Sequence, residues 1–321
     1  MIVVTGAAGF IGSALLAGLQ QQGYGNLVAV DDFSNQDKNL NLRGKNGVER
    51  VEREQFFEWA TRHATEIQFI FHIGARTDTA EFDESVLNHL NVHYSQRMWQ
   101  LCTAHSIPLI YASSAATYGN GEYGFSDNPD NLAKLQPLNP YGWSKHHFDL
   151  WALGQPTAPP FWAGFKFFNV FGPNEYHKHR MASVVLHACK QIQQTGRVKL
   201  FRSHRPGIAD GMQQRDFIYV KDVLNVLLWF MENRKNSGLY NLGTGVARSF
   251  LDLTHAVFSA LQLPPAIDFV DIPEDIRDKY QYYTCADMQR VQQTGYSAGF
   301  STLENAVTDY VNGYLKEGKY F

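Results

Sequence analysis

The sequence predicts an α/β protein: a parallel β-sheet flanked by helices, with a smaller mixed α/β lobe in the C-terminal half. Three observations predict it. Apolar runs of strand length recur at 1–5, 26–30, 68–72, 108–112 and 162–168. Segments with helical spacing of apolar residues lie between several of these runs, and strands alternating with helices build βαβ units. Glycines at positions 6, 9 and 12 close the first strand and open the first helix, where a tight turn can approach a phosphate.

The elements follow in order. A helix is predicted over 11–22, with Ile11, Leu15, Leu16 and Leu19 on one face. The strand at 26–30 ends in Asp31-Asp32. Residues 85–105 read as helix, with Val86, Leu87, Leu90, Met98, Leu101 and Cys102 as core positions. The strand at 108–112 leads into Ser113-Ser114. The stretch 119–140 is rich in Gly, Asn, Asp and Pro and reads as a long loop. A helix over 141–153 is stopped by Pro156, Pro159 and Pro160. Beyond the strand at 162–168, segment 172–180 is polar, and a helix is predicted over 181–194. A second polar loop spans 202–216. Then come an extended run at 217–220, a helix at 223–231, a strand at 239–242, a helix at 252–261, an extended run at 268–270, a mixed stretch at 271–285 and a final helix at 301–316.

Composition narrows the function classes. The chain has 321 residues, enough for one large domain or two intimate ones. Its 22 Phe, 16 Tyr and 6 Trp supply the apolar surface that a disordered chain lacks. A formal net charge of −3 gives no support to a nucleic-acid binder that works by phosphate neutralisation. Cys102, Cys189 and Cys285 are odd in number and far apart. They form neither a disulfide framework nor a CxxC clip, which suits thiols in a reducing compartment. Residues 1–4 do not read as a leader peptide, and no run approaches the length of a membrane span. The expected location is the cytoplasm.

The glycine turn points to a dinucleotide. Gly6 permits the sharp turn, Gly9 lets the backbone near a pyrophosphate, and Gly12 lets the helix pack close to the sheet. The helix N-terminus offers unpaired N–H groups to the anion. Asp31 or Asp32, about 20 residues on, accepts from a ribose hydroxyl. An acidic residue there disfavours a 2′-phosphate, whereas Lys38 either neutralises that phosphate or is a solvated surface charge. On these residues NADP and NAD both stay open. The predicted division is a dinucleotide-binding domain over 1–168 and a mainly substrate-binding domain over 169–321, with segments around 215–250 returning to the first.

Tyr141 and Lys145 lie four apart at the start of a predicted helix and share a face. A free tyrosine, with a pKa near ~10, is a poor base at neutral pH. A neighbouring ammonium stabilises the phenolate and brings that value down. Ser114, at the end of a strand, can bond the same substrate oxygen. Together they can take a carbinol proton while hydride leaves to nicotinamide. His72 reads as structural or packed near the cofactor, and His146-His147 as helix-face residues. His177 and His179 lack the carboxylate–His–His spacing of a metal site, so no metal is expected.

The motifs TGAAGFIG at 5–12, YASSAATYG at 111–119, YGWSK at 141–145, RDFIYVKDV at 215–223 and YNLGTG at 240–245 resemble the extended short-chain dehydrogenase/reductases of the NAD-dependent epimerase/dehydratase family. FHIGARTDTAEFD at 71–83 and the run FFNVFGPNEYHKHRMASV around Lys178 are similar to its ADP-heptose 6-epimerase branch. The resemblance implies a Rossmann-like fold and epimerisation at C6 of an ADP-heptose by transient oxidation, with NADP as cofactor and NAD as the alternative. It assigns catalysis to Ser114, Tyr141, Lys145 and Lys178, with Lys178 as the second base. It places the cofactor against Gly6, Gly9, Phe10, Ile11, Gly12, Asp31, Asp32, Lys38, Ala75, Thr77, Asn91, Tyr141, Lys145 and Val170. It places the ADP-heptose or a related nucleotide sugar against Ser114, Asn169, Lys178, Arg180, His187, Phe201, Arg215 and Tyr280. It also implies a homo-oligomer, with the pentamer as one expected size.

Three features depart from the branch. His179-Arg180 stand where small residues are expected, the 202–214 loop is longer, and no second cofactor lysine can be placed in 41–55. They leave room for another nucleotide-sugar epimerase or reductase of the same fold. An inactive NADP-binding sensor or scaffold is the reading most at odds with an intact Ser114, Tyr141 and Lys145.

Overall fold

The computed structural model describes residues 1–277 and 280–321. Twelve strands form among them. They are β1 (Ile2–Thr5), β2 (Leu27–Asp31), β3 (Glu49–Glu52), β4 (Phe69–His72), β5 (Leu109–Ser114), β6 (Trp162–Phe167), β7 (Asn169–Phe171), β8 (Val198–Phe201), β9 (Gln214–Tyr219), β10 (Gly238–Leu242), β11 (Ala247–Ser249) and β12 (Ile267–Val270). Seven of them make one sheet in the order β10-β6-β5-β4-β1-β2-β3, with every pairing parallel. This is the predicted Rossmann-like α/β class. Two small sheets, β11-β9-β7 and β12-β8, come from the C-terminal half.

The parallel sheet explains the apolar runs. Every residue of β1, β2 and β4 is buried, as strands covered by helices on both faces require. The edge strand β3 has one buried residue, Val51, so no apolar run announced it. Chain order reverses at β1, which lies between β2 and β4. That reversal opens a crevice beyond the strand C-termini.

Several helices differ from expectation for identifiable reasons. The first, Phe10–Gln21, buries Leu15, Leu16 and Leu19 completely, but Ile11 is half-buried and faces the crevice. The continuous helix expected over 85–105 is broken by a wide π-turn. Glu84–Leu87 and Tyr94–Ala104 are α-helical, and Asn88–His93 lies between them. The extra residue in such a turn rotates what precedes it. Leu87, Met98, Leu101 and Cys102 reach the core, whereas Val86 and Leu90 line the crevice instead. The helix expected from 181 begins at Val184, because the Ser183 hydroxyl caps the Leu186 N–H at 3.3 Å. The helix Pro140–Leu153 starts one residue early, where Asn139 caps Gly142 at 2.8 Å and proline takes the first turn. The 202–216 loop is shorter than predicted, since β9 begins at Gln214. Of the mixed stretch at 271–285, positions 278 and 279 lie outside the described residues. No helix among the described residues is long and apolar enough to cross a membrane.

Below the crevice the core carries one polar link. His72 ends β4 and is buried. Its Nδ1 pairs with Thr5 Oγ1 at 2.7 Å and its Nε2 with Ser95 Oγ at 2.9 Å, joining β1, β4 and the helix Tyr94–Ala104. Burial, helped by the charge of Lys145, pushes the ring down to about 3. The unfolded ring takes a proton near pH ~6.5, and the folded ring refuses it. The stability tied to this neutral ring is therefore complete above that pH and is lost as pH falls toward 3. Urea unfolding at about pH 7.5 and about pH 5 is expected to show a loss of stability at the lower pH, and His72→Asn is expected to reduce that difference.

Candidate functional site

A cleft of about 770 Å³ occupies the crevice at the C-terminal ends of β1 and β4. Its floor is the glycine turn. Gly6 has φ +66°, and a Cβ there would lie 2.6 Å from the Gly74 Cα. A Cβ on Gly12 would lie 2.2 Å from the Gly6 carbonyl oxygen. Both glycines are therefore required by close backbone approach. Gly9 caps the helix Phe10–Gln21 without a side-chain bond, leaving its first N–H groups open to an anion. A dinucleotide pyrophosphate fits this cradle.

The adenosine end is richer than expected. Asp31 accepts from the Ala8 N–H at 2.8 Å and from Lys38 Nζ at 2.5 Å. Lys38 is thus ion-paired in the cleft wall rather than solvated. Asp32 is more exposed. Hydrogen bonds from Ser34 hold its carboxyl below the usual range, and it lies 3.9 Å from Arg53 Nη2. Arg53 also lines the cleft. It lies in the 41–55 stretch, where no cofactor lysine could be placed, and its only local signal was a charge just past an unrecognised edge strand.

Ala75 and Thr77 line the opposite wall. Asn91, expected to touch the cofactor, is fully buried instead. Its amide accepts from the Arg76 N–H at 2.8 Å and donates to the Arg76 carbonyl at 3.0 Å and to Ser144 Oγ at 2.9 Å. It braces the 75–77 segment against the helix Pro140–Leu153. Asn169 is exposed and Val170 half-buried in β7, and neither contributes to this wall.

Ser114, Tyr141 and Lys145 come together at the end of β5. Tyr141 is buried and its phenol lies against the Ser114 hydroxyl. Burial raises the phenol above its ordinary value, and the serine works against that rise. Lys145 donates to the Ala112 carbonyl at 2.9 Å, and burial brings its ammonium down to about 8. A tyrosine with a hydroxyl on one side and a buried ammonium one turn away can pass a proton.

Ser114, Tyr141 and Lys145 are not among the residues that line the cleft, whereas Lys178 stands in its wall on the 3₁₀ turn Tyr176–Met181, its Nζ 5.6 Å from the Phe10 ring centroid. Burial lowers it and the charge of Glu175 opposes this. Glu175 is itself buried and accepts from the Ser183 N–H at 2.5 Å, Ser183 Oγ at 2.6 Å and the Gly172 N–H at 3.3 Å. The carboxylate thereby pins both ends of the turn, and inside it His179 adopts φ 45°. Arg180, expected on the substrate, is exposed and bonds both oxygens of Asp78 at 3.0 and 3.1 Å. That pair ties the 75–83 segment to the lysine turn.

The remaining expected substrate residues form a separate group, apart from His187, which is half-buried on the helix Val184–Thr195. Phe201 meets Tyr280 edge-on at 5.8 Å. The Arg215 guanidinium lies 5.5 Å from the Tyr280 ring and 5.5 Å from the Phe250 ring, and donates to the Gln281 carbonyl at 2.5 Å. The structure brings Phe201, Arg215 and Tyr280 together away from the dinucleotide cleft.

Known proteins resemble this chain in sequence and fold. The model of the NAD dependent epimerase/dehydratase family matches residues 2–243. The chain is 43% identical to the ADP-L-glycero-D-manno-heptose-6-epimerase of Fusobacterium nucleatum over the whole of both sequences. It is 44% identical to that of Nitratidesulfovibrio vulgaris over 98% of each. Among solved structures, the Helicobacter pylori ADP-L-glycero-D-manno-heptose-6-epimerase superposes with a TM-score of 0.80 at 26% identity, over 97% of this chain and 95% of that one. The NAD complex of Thermus thermophilus UDP-glucose 4-epimerase has the same fold, with a TM-score of 0.76 at 23% identity over 97% of each chain.

Gly6→Ala is expected to cost roughly 1–3 kcal/mol of folding stability, because the added methyl meets backbone that cannot move aside. The same variant is expected to weaken binding of a reduced nicotinamide dinucleotide at least about tenfold, read by fluorescence titration.

Proposed function

The chain belongs to the NAD dependent epimerase/dehydratase family, and from that premise we propose that it epimerises ADP-D-glycero-β-D-manno-heptose to the L-glycero form at C6. The observation that carries this reading is Lys178. A dehydrogenase needs one proton-transfer group beside its nicotinamide. Lys178 puts an ammonium in the cleft wall, anchored on a different element from the helix that carries Tyr141 and Lys145. Inversion needs hydride taken from one face of C6 and returned to the other, so the C6 oxygen gives up its proton in one orientation and regains it in another, which suits two separately held groups.

A nicotinamide dinucleotide, when bound on the glycine turn, supplies the temporary hydride acceptor that makes C6 planar. Tyr141, as phenolate, takes the proton from the C6 hydroxyl while Ser114 bonds the same oxygen and Lys145 holds the phenolate charge. The intermediate is a ketone, since C7 stays attached. Once the ketone has turned over, C6 regains the hydride on its opposite face while Lys178 donates a proton to the oxygen, which restores the C–H and O–H bonds. Tyr141 and Lys178 then return to their starting states by exchange with water. In this reading Arg215 binds the diphosphate, Phe201 and Tyr280 flank the nucleotide, and Asn169, Arg180 and His187 serve the substrate. Arg180 must first leave Asp78. Asn91 and Val170 act on the cofactor from behind the cleft wall.

The family uses NAD-type cofactors, and we assign NADP here. Lys38 and Arg53 put two cations beside Asp31 and Asp32, enough to offset the carboxylates and hold a 2′-phosphate. The same reading divides the chain into a dinucleotide domain over 1–168 and a substrate domain over 169–321, with 215–250 shared. It also includes a homo-oligomer, with the pentamer as one expected size, working in the cytoplasm.

The deciding experiment incubates the purified protein with ADP-D-glycero-β-D-manno-heptose and follows the C6 epimer. Tyr141→Phe and Lys178→Met are each expected to reduce kcat by about 10²-fold or more while leaving cofactor content near wild type; an unchanged rate in the Lys178 variant defeats the two-base assignment. Arg53→Ala is expected to raise the Kd for NADPH about tenfold and that for NADH by less than about threefold. Equal losses for the two cofactors would remove the 2′-phosphate role.

A further inference from the structure

Asp149 and Lys166 have no part in the reading so far, yet they form an ion pair at 2.6 Å in which neither side chain is exposed. A buried pair gains little stability over apolar residues of equal volume. Its placement is more informative. Asp149 follows Lys145 by four residues and Tyr141 by eight, so all three share one face of the helix Pro140–Leu153. Its Oδ2 accepts from Lys166 Nζ and from Ser113 Oγ, each at 2.6 Å, and its Oδ1 accepts from the Tyr111 hydroxyl at 3.1 Å. Lys166 also donates to Thr117 Oγ1 at 2.8 Å, and Thr117 Oγ1 donates to the Ser114 carbonyl at 2.8 Å. One carboxylate thus gathers β5, β6 and the catalytic helix around Ser114.

We propose that Asp149, locked by Lys166, is a positioning residue that sets the register of Tyr141 and Lys145 over Ser114 and supplies the counter-charge of the Lys145 ammonium. This rests on the Tyr141/Lys145 reading above. The titratable groups facing Lys145 are Tyr141 and Asp149 from its own helix and His72 from β4, which is neutral in the working range. Burial lowers Lys145, and the Asp149 charge opposes this. The same charge raises Tyr141. Removing the carboxylate charge therefore moves both groups in one direction, toward lower pH, whereas a purely structural role leaves the titration where it is.

The test uses two variants: Asp149→Asn, which removes the carboxylate charge alone, and Asp149→Asn with Lys166→Met, which leaves no lone charge buried. The double variant is expected to fold, shown by far-UV circular dichroism, and to bind NADPH within about twofold of wild type, with kcat down about tenfold and KM within about threefold. In Asp149→Asn the whole pH–rate profile is expected to move to acid by about half a unit or more. In parallel, ¹³Cζ-tyrosine NMR of the NADP-loaded proteins follows ionisation of Tyr141, assigned with Tyr141→Phe, and is expected to show the same acid displacement. Absence of wild-type turnover would defeat the epimerase reading and leave the NMR titration to decide this proposal. A Tyr141 titration unchanged in Asp149→Asn, or a double variant whose kcat stays within about twofold of wild type, overturns it.

Discussion

The constraint on which the rest depends is the contact between two chain reversals, one after β1 and one after β4. Gly6 and Gly74 meet with no room for a side chain between them, and Gly12 closes over the Gly6 carbonyl. That approach brings a helix N-terminus to the point where strand order reverses. An open patch of backbone N–H groups results, at the place where a parallel sheet has no helix covering it. The wall residues of the cleft, from Asp31 to Lys178, are arranged around it.

What was legible in the sequence was what depends on short-range spacing. The glycine turn, the Tyr141/Lys145 pair and the strand-end Ser114 are local patterns, and each is local in the structure. The unread parts come from contacts between distant segments. Arg53 follows an edge strand with a single buried residue, so alternation gave no cue. The π-turn at Asn88–His93 turned Val86 and Leu90 from core to cleft, and no residue type announces such a turn. Asn91 has the composition of a ligand-binding amide, but its hydrogen bonds are spent on Arg76 and Ser144. Lys166 lies in a run read only as an apolar strand, and its partner is 17 residues earlier on a helix.

Two buried carboxylates divide the labour of holding the groups proposed to transfer protons. Asp149 lies on the Tyr141 helix, and Glu175 lies at the start of the Lys178 turn. Each is satisfied by donors from more than one segment, as a charge taken out of water requires. The two lysines nearby sit in the opposite condition, dehydrated and with lowered proton affinity. The carboxylates supply the rigid frame, and the ammonium groups keep the freedom to exchange protons.

The exposed Asp78–Arg180 pair has a consequence for how readily Arg180 can change partners. It bridges two segments that wall the cavity and is itself in contact with solvent. A bridge of this kind is worth only about 0–1 kcal/mol, so thermal motion parts it readily and ions in the medium loosen it further. A guanidinium held so loosely is on loan to Asp78, free to turn to an entering anion and to come back, with salt as the setting that eases the exchange.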